Sequence, residues 1–326
     1  MEGIFTGMRG FMEGNPRLKY VFFGGKGGVG KTVTAAAAAL WSARRGNRTL
    51  LASTNSFHSL SVLFGQDLSG RPQVVCNEER YHALEIDTGV SIERSKQETR
   101  ERIDWFLKSA GILTGAEDFI QSAMMNPSFE ESAMFENMMD LILKDEYDFY
   151  VFDMAPFAGA RRLLAMSKTL SLWVQRMLKS REAARSMREA LSFSKKQEKD
   201  PLMEYLTGLR ERIAEGEKLL FDKGLTALFC VTLPESLPIS VAARLMDWSS
   251  GLGIPVGGLI VNGVIDKGET KEGTAEFERS RIALQEENLT KIRSLFGDRV
   301  RAIIPLFETE VRGTRMLERT SEYLFA

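Results

Sequence analysis

The segment Tyr20-Val21-Phe22-Phe23-Gly24-Gly25-Lys26-Gly27-Gly28-Val29-Gly30-Lys31-Thr32 constrains this chain more than any other. An apolar run that breaks into glycines and then opens a helix through Ala35–Ala39 predicts a buried strand, a tight loop and a helix in succession. Gly25 to Thr32 matches the pattern G-x-x-x-x-G-K-[ST]. Glycines let the backbone curl until several N–H groups face one anion, which side chains would obstruct. The helix N-terminus adds partial positive charge at the same point. A lysine at position 31 would reach the β- and γ-phosphates of a nucleotide, and the Thr32 hydroxyl would ligate magnesium. The predicted phosphate-binding stretch therefore comprises Gly25, Lys26, Gly27, Gly28, Val29, Gly30, Lys31, Thr32 and the following position, Val33. Taken alone, Lys26 also reads as a solvated loop charge.

The remaining chain supplies a sheet for that loop. Arg48–Thr54, Ala83–Asp87, Tyr147–Asp153, Leu225–Thr232, Ile254–Asn262 and Arg299–Pro305 read as strands. Helical patterns occupy residues 91–143, residues 161–220 with a break at the polar Ser194–Asp200 run, Val241–Trp248 and Phe277–Phe296. This alternation predicts an α/β fold, a mostly parallel twisted sheet wrapped by helices. The strand Tyr147–Asp153 is apolar throughout and ends in an acid, where an open sheet presents ligand-binding groups. Near the N-terminus, Ile4, Phe5, Met8, Phe11 and Met12 share a helical face, but Gly3, Gly7, Gly10 and Gly14 weaken a helix there. That segment is expected to pack on the body or on a partner.

A chain of 326 residues, 44% hydrophobic and 27% charged, can bury such a core and carry an appended subdomain. Its net charge of −1 argues against a nucleic-acid surface. No stretch approaches the roughly 18 apolar residues of a membrane span, and the start of the chain lacks a signal-peptide pattern. A cytoplasmic protein is expected. Cys76 and Cys230 are far apart and form no C-x-x-C, and His58 and His82 are too few for a histidine-built metal site.

With these pieces placed, the chain resembles the arsenical pump-driving (anion-transporting) ATPases and the ATPases that target tail-anchored membrane proteins, both of the deviant Walker group of P-loop NTPases. The resemblance covers nearly the whole chain: Gly-Lys-Gly-Gly-Val-Gly-Lys-Thr at 25–32, Leu51–Leu60, Tyr81–Asp87, Val151–Pro156, Asp200–Leu219, Leu233-Pro234-Glu235, Pro255–Asn262 and Glu310–Gly313. It implies an ATPase that binds ATP and Mg2+ and works as a homodimer, with Lys26 reaching across to the partner's phosphates. It implies that Asp153 engages magnesium through water and senses the γ-phosphate. Glu235 and Asn262 would contact the nucleoside, Asn262 reading adenine through an amide that both donates and accepts. Pro305 and Phe307 would lie against the base. Residues 1–90, 146–165 and 222–326 would form the ATPase domain, with 91–145 and 166–221 as an inserted helical subdomain.

Departures from the family pattern matter as much. The switch I aspartate that positions the attacking water is Asn55 here, followed by Ser56 and Phe57. Asparagine accepts a hydrogen bond but takes no proton, which predicts slow hydrolysis. His58 reads as a structural imidazole, with assistance to hydrolysis as the alternative. After Pro156 the family's Thr-Gly-His is replaced by Phe157-Ala158-Gly159. The arsenite-binding cysteines and the zinc-clamping C-x-x-C have no counterpart.

Ten of the fifteen methionines lie between Ser91 and Leu225, among them Met124, Met125, Met138, Met139 and Met177. Flexible thioethers suit a surface that accepts varied apolar partners, while plain core packing explains them equally. Leu170, Trp173, Val174, Met177 and Leu178 form an apolar stripe beside Arg161–Arg188, a basic set that reads as a membrane-facing or partner-facing helix or as a solvated face. The expected partner is an apolar client segment or a membrane-associated protein. The alternatives are an energising subunit of an anion or metalloid transporter and a maturation ATPase that inserts a metal or cofactor.

Overall fold

The computed structural model describes residues 7–54, 58–86, 128–154, 201–266 and 276–326, together with isolated helical positions between 97 and 186. Asn55, Phe157–Gly159, most of the basic stretch 161–188 and Met124, Met125, Met166, Met177 and Met187 lie outside the described residues. By its internal contacts the chain divides into two units, one of Met1–Asp87, Lys144–Arg161 and Leu220–Ala326, the other of Thr88–Leu143 and Arg162–Leu219.

The first unit is built on an eight-stranded sheet. Its strands are β1 (Tyr20–Gly25), β2 (Thr49–Ser53), β3 (Gln73–Val75), β4 (Glu78–Glu85), β5 (Phe149–Asp153), β6 (Thr226–Thr232), β7 (Val256–Val264) and β8 (Val300–Pro305). They lie in the order β3-β4-β2-β5-β1-β6-β7-β8. All neighbours pair in parallel except β3 with β4. Strands β1, β2, β5 and β6 are buried along their full length, which explains why they are continuous apolar runs rather than alternating ones.

The continuous α-helices among the described residues are α1 (Met8–Gly14), α2 (Lys31–Arg44), α3 (Ser59–Phe64), α4 (Ser128–Lys144), α5 (Pro201–Phe221), α6 (Ser236–Leu252), α7 (Glu276–Phe296) and α8 (Gly313–Leu324). Helix α2 buries Ala35 to Ala39 completely or nearly so, and these small side chains let it lie close to the sheet. Its far side carries Trp41, stacked on Phe325 with ring centroids 4.0 Å apart. The short N-terminal helix does form despite its glycines: Met8 is fully buried and Phe11 meets the edge of Phe229 at 5.3 Å.

Several elements differ from the sequence expectation, among them β3 and α3, which it does not contain. Strand β4 begins at Glu78 instead of Ala83, because it is the second arm of a hairpin with β3. The turn residues Cys76 and Asn77 both take positive φ, 58° and 52°, the geometry a two-residue hairpin loop requires. Helix α6 begins at Ser236 rather than Val241, since Pro238 falls in the first turn, where its missing N–H costs nothing. Helix α8 was not expected at all; its buried Leu317, Thr320, Ser321 and Leu324 recur at helical spacing.

In the second unit, α4 and α5 make close contact. A side chain at Gly216 would meet Met139 at 2.0 Å, and Arg212 pairs with Asp140. Met138, Met139, Ile142 and Ile213 are buried. For Met138 and Met139 the core-packing alternative therefore holds, and Met154, in the first unit just after β5, is buried as well. Leu178 of the apolar stripe is also buried, with Arg176 and Lys179 exposed beside it.

Candidate functional site: the phosphate loop and its acid

From β1, the chain's strands proceed outward in both directions, β5 and β2 on one side and β6 and β7 on the other. Such a reversal opens a crevice above the carboxyl end of the central strand. The loop from Gly25 to Gly30 occupies this position. Two of its glycines are obligatory for separate reasons. Gly25 has φ +152°, and a Cβ there would lie 2.4 Å from the Val231 carbonyl oxygen. Gly30, the N-cap of α2, has φ +91°, and its Cβ would meet Asn262 Nδ2 at 2.1 Å.

Polar groups then tie the loop down. Asn262 Nδ2 donates to the Val29 carbonyl at 3.0 Å. The Lys31 ammonium donates to the Lys26 carbonyl at 3.0 Å, so the lysine folds back over the loop it follows. Lys31 is 8% exposed, and burial lowers its pKa while the Asp153 charge opposes that shift. Lys26 is half-buried, and Gly27 and Gly28 are exposed. Val33 packs against the core behind the loop.

Asp153 stands at the end of β5, 1% exposed. Its Oδ2 accepts the Thr32 hydroxyl at 2.7 Å and the Ser53 hydroxyl at 3.1 Å. Its Oδ1 is buried with no hydrogen-bond partner. Burial raises its pKa to about 6, against the lowering effects of the Thr32 bond, the Lys31 charge and the Ser53 bond. The unpartnered Oδ1 is a buried acceptor left unsatisfied, and a hydroxyl and an acid oxygen side by side are hard donors of the kind magnesium takes. Thr32 and Asp153 fit the ion that the loop motif implies.

The residues that the family resemblance sets against the nucleoside stand on other elements. Glu235 is the N-cap of α6 and pairs with Arg281 at 3.5 Å. Pro305 ends β8, Leu306 is exposed, and Phe307 packs on Tyr323 and under the Arg319 guanidinium, 4.8 Å from its ring. Glu235 follows β6 and Phe307 follows β8, whose last residue is Pro305, and the carboxyl ends of both strands share the edge of the sheet that carries the loop.

Sequence reasoning passed over one acid. Glu85, at the end of β4, is 1% exposed and accepts hydrogen bonds from the N–H groups of Leu60 and Ser61 at 2.7 and 3.1 Å and from the Ser61 hydroxyl at 2.7 Å. His58 Nδ1 lies 2.8 Å from its other side. The available signal was the one used for Asp153, a buried strand ending in a carboxylate.

A family model described as anion-transporting ATPase matches residues 18–326. A protein of Aquifex aeolicus named as an arsenical pump-driving ATPase is 29% identical over 94% of this chain and 99% of its own. ATPase ASNA1 homolog 2 of Paramecium tetraurelia is 27% identical over 95% of this chain and 94% of its own. ATPase get3 of Sclerotinia sclerotiorum is 28% identical over 94% of this chain and 89% of its own.

Proposed function

This chain belongs to the anion-transporting ATPase family and is an ATPase, and from that premise we propose a magnesium-dependent homodimeric switch that hydrolyses ATP slowly. The observation that carries the reading is the Thr32–Asp153–Ser53 cluster set directly beneath a glycine loop whose lysine is folded inward. Backbone N–H groups of residues 25–33 and the Lys31 ammonium bind the phosphates. Thr32 would ligate magnesium and Asp153 would hold it through water; the ion would neutralise charge on the transferring phosphoryl group. Asn262 and Glu235 orient the nucleoside, with Pro305 and Phe307 against the base. Asn55 positions the attacking water without accepting its proton, and so keeps turnover low.

Lys26 acts on the partner's nucleotide, in the manner of a finger residue supplied in trans. Closure of the dimer reshapes the helical unit, which handles an apolar client segment or a membrane-associated partner from the cytoplasm. Among the described residues no helix is long and apolar enough to cross a membrane. The Aquifex relative's name favours a second reading, an ATPase that drives an anion or metalloid transporter. Light scattering with a non-hydrolysable ATP analogue tests the switch. Wild type is expected to dimerise on adding analogue and magnesium, and Lys26→Ala to remain largely monomeric. A wild-type protein that stays monomeric with nucleotide bound contradicts the closure.

A further inference from the structure

Strand β7 does not run regularly to its end. Between the pairs Val261 with Ile303 and Val264 with Pro305, it advances three residues against two of β8, so Asn262 and Gly263 form a bulge. Gly263 takes φ +69°, in the left-handed region that suits glycine. A bulge re-aims the side chain it carries, and here the Asn262 amide turns to the Val29 carbonyl of the phosphate loop. The ladder is disrupted at such a point, and the chain beyond it needs other contacts to fix its course.

Two contacts supply them. The Leu306 N–H donates to the Val264 carbonyl at 2.8 Å, which ties the segment 305–307 to the same strand end. The next residue, Ile265, is gripped by Gln285 of α7. The Ile265 N–H donates to Gln285 Oε1 at 2.8 Å, and Gln285 Nε2 donates to the Ile265 carbonyl at 2.9 Å. One side-chain amide thus pairs both main-chain groups of a residue, as a neighbouring antiparallel strand would. Gln285 is 5% exposed.

Its neighbours on α7 reach the other side of the nucleoside site. Arg281 pairs with Glu235 at 3.5 Å. Asn288 is buried, and its Oδ1 accepts the hydroxyl of Ser236, the residue after Glu235, at 3.3 Å. Arg281, Gln285 and Asn288 recur at i, i+4 and i+7, so one helical face carries all three. The Nδ2 of Asn288 is buried without a partner, an expense that an apolar side chain would avoid, so packing alone does not account for this face.

We propose that Gln285 is a positioning residue for the nucleoside of ATP: by holding both main-chain groups of Ile265 it fixes the bulge that aims Asn262 and the strand end that carries 305–307. Asn288 and Arg281 steady the Glu235 side from the same face of α7. This role rests on the reading of Glu235, Asn262, Pro305 and Phe307 as the nucleoside contacts. The phosphates are held by the loop N–H groups and Lys31, so Gln285 matters for ATP and not for a ligand without a nucleoside.

Gln285→Met tests this, since it keeps the length of the side chain and removes both bonds. Affinities for ATP–Mg and for inorganic triphosphate with magnesium are measured by calorimetric titration on the full chain, beside single-turnover hydrolysis at saturating ATP and thermal unfolding. ATP binding is expected to weaken about tenfold, the effect of one or two misplaced hydrogen bonds. Triphosphate affinity and the rate from bound ATP are expected to stay within about twofold of wild type, as the phosphate grip is untouched. Gln285→Glu keeps an acceptor for the Ile265 N–H but loses the donor, and is expected to fall between the two. A Gln285→Met protein of lowered melting temperature that binds both ligands as wild type does overturns the proposal, because the amide then serves stability alone. Equal weakening of ATP and triphosphate overturns it as well, because the phosphate loop has then moved. Should Gln285→Met not fold, Gln285→Glu carries the same comparison with the same outcomes. A wild type that binds triphosphate as tightly as ATP removes the nucleoside reading and this role with it, and is recognised before any variant is made.

Discussion

Lys31 donates its ammonium to the main-chain carbonyl of Lys26, five residues earlier and 3.0 Å away, and so closes the phosphate loop on itself. The loop's own carbonyl occupies the lysine, and an incoming phosphate must compete with it. A phosphate oxygen carries a full negative charge where the carbonyl carries only a dipole, so Coulomb attraction makes the exchange favour the nucleotide.

Gly30→Ala is expected to damage this loop from two directions. The residue has φ +91°, which costs an L side chain roughly 1–2 kcal/mol, and its Cβ would lie 2.1 Å from Asn262 Nδ2. Unfolding should show a loss of about 2 kcal/mol or more, with ATP binding weakened. Adding Asn262→Ala removes the collision but not the backbone strain, so part of the loss returns. A Gly30→Ala protein as stable as wild type contradicts the loop geometry.

Asp153→Asn should stabilise the nucleotide-free protein and disable it. Burial raises the Asp153 pKa to about 6 from 3.8. Between those values the folded state holds a proton that the unfolded state has released, so stability falls as pH rises through the window. By pH 7 the ionised carboxylate costs on the order of 3 kcal/mol. The stability gain of Asp153→Asn over wild type should therefore grow from pH 4 to pH 6.5 and then level off, as followed by urea unfolding. Magnesium should cease to strengthen ATP binding. A gain independent of pH contradicts the raised pKa.

Asn55→Asp should accelerate hydrolysis, because an aspartate both positions the attacking water and accepts its proton. A general base contributes on the order of 100-fold or more. The measurement is single-turnover phosphate release, with the change appearing in rate and not in ATP affinity. A variant no faster than wild type shows that Asn55 is not the limiting feature.

The legible parts of the site were the local ones. Gly25 to Thr32 carry their geometry in consecutive residues, and Asp153 announces itself as an acid closing the apolar run Phe149–Phe152. Strands β5 and β6 could be read because both faces are buried and the sequence is apolar throughout. What could not be read depends on partners distant in sequence. Glu85 acquires its role from backbone N–H groups some 25 residues away in α3. The β3–β4 hairpin turns on Cys76-Asn77, a pair without the usual Asn-Gly signal, and its second arm opens with Glu78-Glu79-Arg80, which resembles a loop. Helix α8 offers a clear apolar face at Leu317 and Leu324, but its start at Arg312-Gly313 carries no helix-capping residue. Asn262 shows a mixed case: its place at the end of a strand was evident, while its bond to Val29 required the fold.

The most direct measurement is the affinity of Lys31→Ala for ATP–Mg, by calorimetric titration beside wild type. Loss of a charge-assisted contact to phosphate predicts binding weakened by about 10- to 100-fold. Equal affinity in the two proteins would contradict the account, because the loop from Gly25 to Thr32 would then not be where the nucleotide is held.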